Sequence, residues 1–231
     1  MSARKYRIAA IGTLILIGIA AAVLGGAYEA MRQVRPFYEQ ALSLDPGTLT
    51  EGGRELESRA SALYSDSRKA GQWRAVFTAD QINGWLATQL IEGGARTLPK
   101  GLDMPRVAIG NETITLGFRA RHGGVDTVVS ADASAMVTES GEIAIRLISV
   151  QAGALPLPVL QVADEISKAC QALRLPIRWT QENGEPVALV DVHDESSSSR
   201  GRMSIDAIEL RDGSLYVAGH TEKVGSLIYD R

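Results

Sequence analysis

Asp191, His193, Asp194 and Glu195 stand within five positions, and carboxylates interleaved with an imidazole are the donor types of a hard-metal or hydrolytic site. Four donors near one another in sequence do not make a site, because binding needs convergent geometry and supporting partners behind the ligands. The alternative is a solvated strand end leading into the polar loop Ser196–Ser199, and that reading is preferred. The other imidazoles are more isolated. His122 adjoins a Gly-Gly turn and His220 lies near a strand end, so both are expected at the surface. The chain has no G-x-S-x-G elbow, H-E-x-x-H, C-x-x-C, Walker loop or G-x-G-x-x-G, and Cys170 has no partner for an internal disulfide. The expectation is a non-catalytic protein without metal or cofactor.

Two further groups of residues could bind. Asn83, an amide between Ile82 and Trp85, could cap backbone groups, satisfy an edge strand or face a ligand head group, with the structural roles preferred. Trp85, Leu86, Leu155, Leu157, Val159 and Leu160 are the candidates to line an apolar groove, and the competing reading for each is ordinary core. Pockets for small ligands are mostly apolar with a few polar groups.

What would position these residues starts at the N-terminus. Ile8 to Ala27 is twenty residues without a charge, long enough as a helix to span about 30 Å of hydrocarbon. Arg4, Lys5 and Arg7 precede it with no acid on that side, which keeps residues 1–7 in the cytoplasm as a basic tail and sends the remainder across the membrane. Gly25-Gly26-Ala27 also has the form of a cleavage site, so a retained anchor and a removed signal both remain open, with the anchor preferred. Of 24 basic and 27 acidic side chains, 21 and 27 fall after Ala27, a net charge of −6 over residues 28–231. That balance sets nucleic acid aside as a partner.

Residues 28–70 are expected as a helical stalk that lifts the domain off the bilayer and packs onto it, with Pro36 kinking or ending a first helix, Asp45-Pro46-Gly47 a break, and a second helix from about Leu49 to Ala70. The α+β domain is expected over 71–222. It opens with a strand at Trp73–Phe77 and the capping box Thr78-Ala79-Asp80-Gln81, whose helix reaches about Ile91 and ends at Gly93-Gly94. The period then changes to two: Val107–Ile109, Thr113–Arg121, Val125–Thr138 and Glu142–Val150 read as strands of a meander. Ile114, Leu116 and Phe118 alternate with Thr113, Thr115 and Arg119, so one face is expected buried and the other wet. Small residues in Ser130–Ala135 would let a strand bend or something approach closely. Gly153-Ala154-Leu155-Pro156-Leu157-Pro158 leads into a helix from Val159 to about Leu173, striped by Leu160, Ala163, Ile166, Ala169, Cys170 and Leu173. Strands at Ile177–Thr180, Val187–Val192, Met203–Leu210 and Ser214–Gly219 follow, and 223–231 reads as a tail. The order predicts a transmembrane helix, then a curved antiparallel sheet packed on two or three helices.

The run from Phe77 to Leu86, the strands after it and the Gly-Ala-Leu-Pro-Leu-Pro turn before a helix resemble membrane-anchored bacterial envelope proteins of the YpmS type. The strand–turn–helix order is similar to that of tubular lipid-binding (TULIP-like) domains. The resemblance covers roughly residues 70–220 and leaves the stalk unmatched. It implies a long helix lying in a curved sheet, a groove for acyl chains, and a place in the cell envelope. The expected partners are the lipid bilayer and a lipid or other apolar envelope ligand, with an envelope scaffold that binds another protein as the alternative.

Overall fold

The computed structural model describes residues 25–26, 28–88, 101–122, 124–172, 177–191 and 202–222. The run 8–27 lies outside them apart from Gly25 and Gly26, as do Leu90, Gly93-Gly94 and the tail 223–231. Among the described residues no helix is long and apolar enough to cross a membrane.

Local chemistry accounts for the helices. Pro36 starts the helix α1 (Pro36–Leu42) rather than ending one, because a residue without an N–H fits a first helical turn. A separate helical turn at 28–32 precedes it. Asp45 caps α2 (Pro46–Ser67) by accepting from the Thr48 N–H, so the expected break is the start of the helix, three residues early. The Thr78 capping box forms in full: Gln81 N–H donates to Thr78 Oγ1 at 3.2 Å, and Thr78 N–H donates to Gln81 Oε1 at 3.1 Å. It opens α3 (Ala79–Trp85). A Cβ at Gly84 would stand 2.5 Å from the Gly53 nitrogen, so the absence of side chains lets α2 and α3 cross in close contact.

Two antiparallel sheets form where one was expected. The strand β1 (Gly71–Thr78) pairs with the C-terminal hairpin of β9 (Arg202–Arg211) and β10 (Ser214–Glu222) in the order β1-β10-β9. The larger sheet runs β2 (Leu102–Ile109), β3 (Ile114–His122), β4 (Val125–Val137), β5 (Ile143–Ala152), β8 (Glu185–Val190), β7 (Ile177–Glu182), and the short β6 (Leu155–Pro156) pairs back onto β5. The helix α4 (Val159–Ala172) packs on β5, β7 and β8. Between β4 and β5 the register slips at Asp132/Ala133, so Ile148 is an extra residue and the sheet bends beside the small side chains, as their sizes allow.

Asn83 takes the edge-strand role. Val107 N–H donates to Asn83 Oδ1 at 2.8 Å, and Asn83 Nδ2 donates to the Val107 carbonyl at 2.9 Å. One side chain thus substitutes for a neighbouring strand along β2, the edge of the large sheet, where unpaired backbone groups would otherwise be buried.

The face expected to be wet is covered. Thr115, Gly117, Ser130, Asp132 and Ser149 are paired neighbours on one face of β3, β4 and β5, and the chain at 28–42 lies over them. A Cβ at Gly117 would meet Tyr38 Cδ2 at 2.9 Å and Phe37 Cζ at 3.0 Å. Tyr38 is 1% exposed and donates its hydroxyl to the Met104 carbonyl at 2.7 Å. Arg106, also buried, donates Nε to the Ala41 carbonyl at 3.2 Å. Arg35 reaches Asp132 at 3.0 Å, and Thr115 and Ser149 each donate to that carboxylate at 2.7 Å. The N-terminal part of the expected stalk is therefore a layer of the domain. The opposite face carries Ile114, Leu116, Phe118, Leu147 and Val150, the last two packed with Ala163 of α4.

Replacing Asn83 with leucine keeps the size but strands the Val107 N–H and carbonyl. A loss of about 3 kcal/mol is expected, at 1–3 kcal/mol per unsatisfied group, in urea unfolding of the purified chain.

Candidate functional site

A cleft of about 200 Å³ opens between α4 and the β7–β8 hairpin, lined by Leu160, Ala163, Asp164, Ser167, Trp179, Thr180, Gln181 and Pro186. Its floor is set by how α4 packs. Val159, Val162 and Ala163, at i, i+3 and i+4, turn toward Leu147 and Val150, while Leu160 and Ile166 are 48% and 36% exposed. The buried stripe is thus rotated from the expected one, and Cys170 is half-buried on the same helix. The far wall comes from β7 and β8. Asn183 and Gly184 both have positive φ (53° and 84°), the requirement of a tight two-residue hairpin turn, and this hairpin brings Trp179 over the Leu147–Val150–Ala163 cluster.

Trp179 is one of the lining residues. Its indole Nε1 is buried and has no hydrogen-bond partner, whereas buried indole N–H groups ordinarily find an acceptor. The rim adds hydroxyls from Ser167 and Thr180 and the carboxylate of Asp164. Apolar walls and an acidic rim suit a narrow, uncharged apolar group.

The six expected groove residues do not come together. Trp85 is on α3 and Leu86 follows it, half-buried, and α3 packs against α2, β1 and β2 rather than beside α4. Leu155 lies in β6, half-buried. Leu157 and Val159 pack into the Leu147–Val150–Ala163 core. Of the six, Leu160 alone lines the cleft. Trp179 and Pro186 were not among the expected residues, although Ile177-x-Trp179 alternation and the Asn183-Gly184 turn were in the sequence to mark an apolar hairpin face.

The polar candidates divide similarly. His193, Asp194 and Glu195 lie outside the described residues, as does the side chain of His122. Among the described residues no three His, Cys, Asp or Glu side chains are placed to hold a metal ion. His220 sits in a polar trough of about 570 Å³ between the β4–β5 turn and β9–β10, with Glu139, Ser204, Asp206 and Glu222. Its Nδ1 is 2.8 Å from Asp206, and its Nε2 is 3.9 Å from Glu222. Asp206 is the extra residue at a bulge between β9 and β10, since Ala218 faces Ala207 and Gly219 faces Ile205. The pair is solvent-exposed, with side chains 39% and 47% accessible, and acts as a surface ion pair.

No protein-family model matches this chain, and no curated protein or solved structure matches it.

The hydrogen bond and charge of Asp206 raise the His220 pKa above its ordinary value of 6.5. The pair therefore stabilises the fold fully below that ordinary value, and the contribution fades as pH rises through the raised one. NMR titration of the His220 ring should give a midpoint above 6.5, and Asp206→Asn should lower it. An unchanged midpoint in the variant would remove Asp206 as the cause.

Proposed function

We propose that this chain is a membrane-tethered, non-catalytic envelope domain that binds the end of an acyl chain in the cleft between α4 and the β7–β8 hairpin. The reading takes residues 8–27 as its single membrane span, with the N-terminus in the cytoplasm and residues 71–222 outside it. The observation that carries it is the cleft lining, where buried Ala163 and Pro186 stand beside Trp179 and exposed Leu160 stands at the mouth. The Asp164 carboxylate at the rim disfavours a free fatty acid by like-charge repulsion, which leaves a neutral ester- or amide-linked chain. The volume is below the roughly 300–1,000 Å³ of pockets that enclose a whole ligand, so the cleft holds part of a lipid while the remainder stays outside. Each methylene taken from water contributes about 0.8 kcal/mol, so a short segment suffices for binding. This narrows the TULIP-like expectation of a groove for acyl chains to a shallow seat beside one helix.

Native mass spectrometry of the detergent-extracted full chain tests it. Wild-type protein should carry a neutral ester- or amide-linked lipid, and Ser167→Phe, which fills the cleft from its rim, should lose it. Wild-type protein free of lipid, or Ser167→Phe loaded as before, would end the proposal.

A scaffold role is favoured by one observation: α2 exposes most of its length, with Tyr64 65% accessible. A photocrosslinker at position 64 that captures a single envelope protein in cells, with the cleft empty, would support that reading instead.

A further inference from the structure

The path of the chain from the uncharged run into the domain fixes which end of the fold faces the bilayer. The run ends at Ala27, and Ala30 is three residues further on, a reach of at most about 10 Å even fully extended. The Ala30 carbonyl accepts a hydrogen bond from the Ala154 N–H at 2.8 Å, and the Met31 carbonyl accepts from Thr127 Oγ1. The Gly153 backbone lies so close to the Ala30 and Met31 carbonyls that no side chain fits there. The turn at 153–158 is thereby pinned beside the start of the domain. Polar head groups add roughly 5–8 Å to each side of the hydrocarbon core, so a segment within 10 Å of its edge lies in or against them.

What this end presents matches that environment. Ala154, Pro156 and Pro158 are exposed, alternating with half-buried Leu155, Leu157 and Val159, and Leu160 follows at 48% exposure. Tyr28, 46% exposed, lies under the Arg32 guanidinium, which is 5.7 Å from its ring centre. Exposed aromatic and basic side chains next to an apolar span are the residues that sit at a membrane–water interface. The opposite end differs: the β4–β5 turn carries Glu139 in the polar trough and is on the order of 35 Å from Thr127 along β4.

We propose that the turn at 153–158, with Leu160 and Tyr28, docks onto the surface of the bilayer that holds the anchor, so that the α4–β7 cleft opens at the head-group layer. The occupant of this exposed apolar surface is the membrane itself, not a second copy of the chain, because the anchor brings the bilayer to it. The surface rests on residues 8–27 being the membrane span. Its link to the acyl-binding reading is Leu160, which belongs to both the docking surface and the cleft mouth. A lipid would then reach the cleft by tilting one chain out of the leaflet, without crossing water.

The test uses the full chain in phosphatidylcholine–phosphatidylglycerol nanodiscs, with Cys170→Ser as background and an environment-sensitive fluorophore at Pro156→Cys or, as a second position, Ala154→Cys. A fraction of the lipids carries a nitroxide at head-group depth. Labels at 156 and 154 should lose most of their fluorescence, and a label at Glu139→Cys should keep it. Equal quenching at all three positions, or none at 154 and 156, would overturn the docking. Bound lipid, read by mass spectrometry on the same preparation, reports on the cleft separately. Quenching without bound lipid upholds docking and sinks the acyl seat, and lipid without quenching overturns docking alone.

Discussion

Asp132 sits mid-strand in the large sheet, 19% exposed, and four hydrogen bonds close on its carboxylate: two from Arg35 at 3.0 Å and one each from Thr115 and Ser149 at 2.7 Å. Burial pushes its pKa up. The Thr115, Ser149 and Arg35 bonds and the Arg35 charge more than offset that and hold it below the ordinary carboxylate value. Stability from this group is therefore present above its unfolded pKa and is lost as pH falls through the depressed folded one. The charge is tolerated inside the sheet because Thr115 and Ser149 donate to it from neighbouring strands and the chain at 28–42 brings Arg35 over it. The same strap is held by Tyr38 on Met104 and by Arg106 on Ala41.

That clamp connects the parts of the molecule. A strap fixed across β3 and β4 sets the direction in which the chain enters the domain from its N-terminal side. Gly117 leaves room for Phe37 and Tyr38 on one face, and its strand partner Ser130 accepts from Arg35. On the other face the bulge at Ile148 bends β5, and α4 packs Val159, Val162 and Ala163 against it. The strap thus determines where the turn at 153–158 is held, and that turn places the α4 cleft.

Much of the architecture was legible locally. The Thr78 capping box, the hairpin glycines and the amide at Asn83 behave as their chemistry implies, because each depends on neighbours within a few residues or on one edge strand. Long-range pairing was not legible: β1 joins β10 across 140 or so residues, so a separate three-stranded sheet replaces part of the single one expected. Thr115 read as wet because polar alternation cannot distinguish solvent from a covering strap that supplies a cation. In α4 two apolar stripes compete, Leu160–Ile166 and Val159–Val162–Ala163, and the bend of β5 favours the second. The cleft was missed for that reason, since its far wall arrives from β7 and β8 rather than from the helix whose apolar residues had drawn attention.

If the strap is a rigid connector and not a free stalk, Arg35 and Asp132 must be energetically coupled. A double-mutant cycle of Arg35→Met and Asp132→Asn, read by urea unfolding of the solubilised full chain, measures this directly. The structure requires a coupling of about 1.5–3 kcal/mol, the range for hydrogen bonds to charged groups. Additive effects, with no coupling beyond error, would mean that the strap does not hold the sheet.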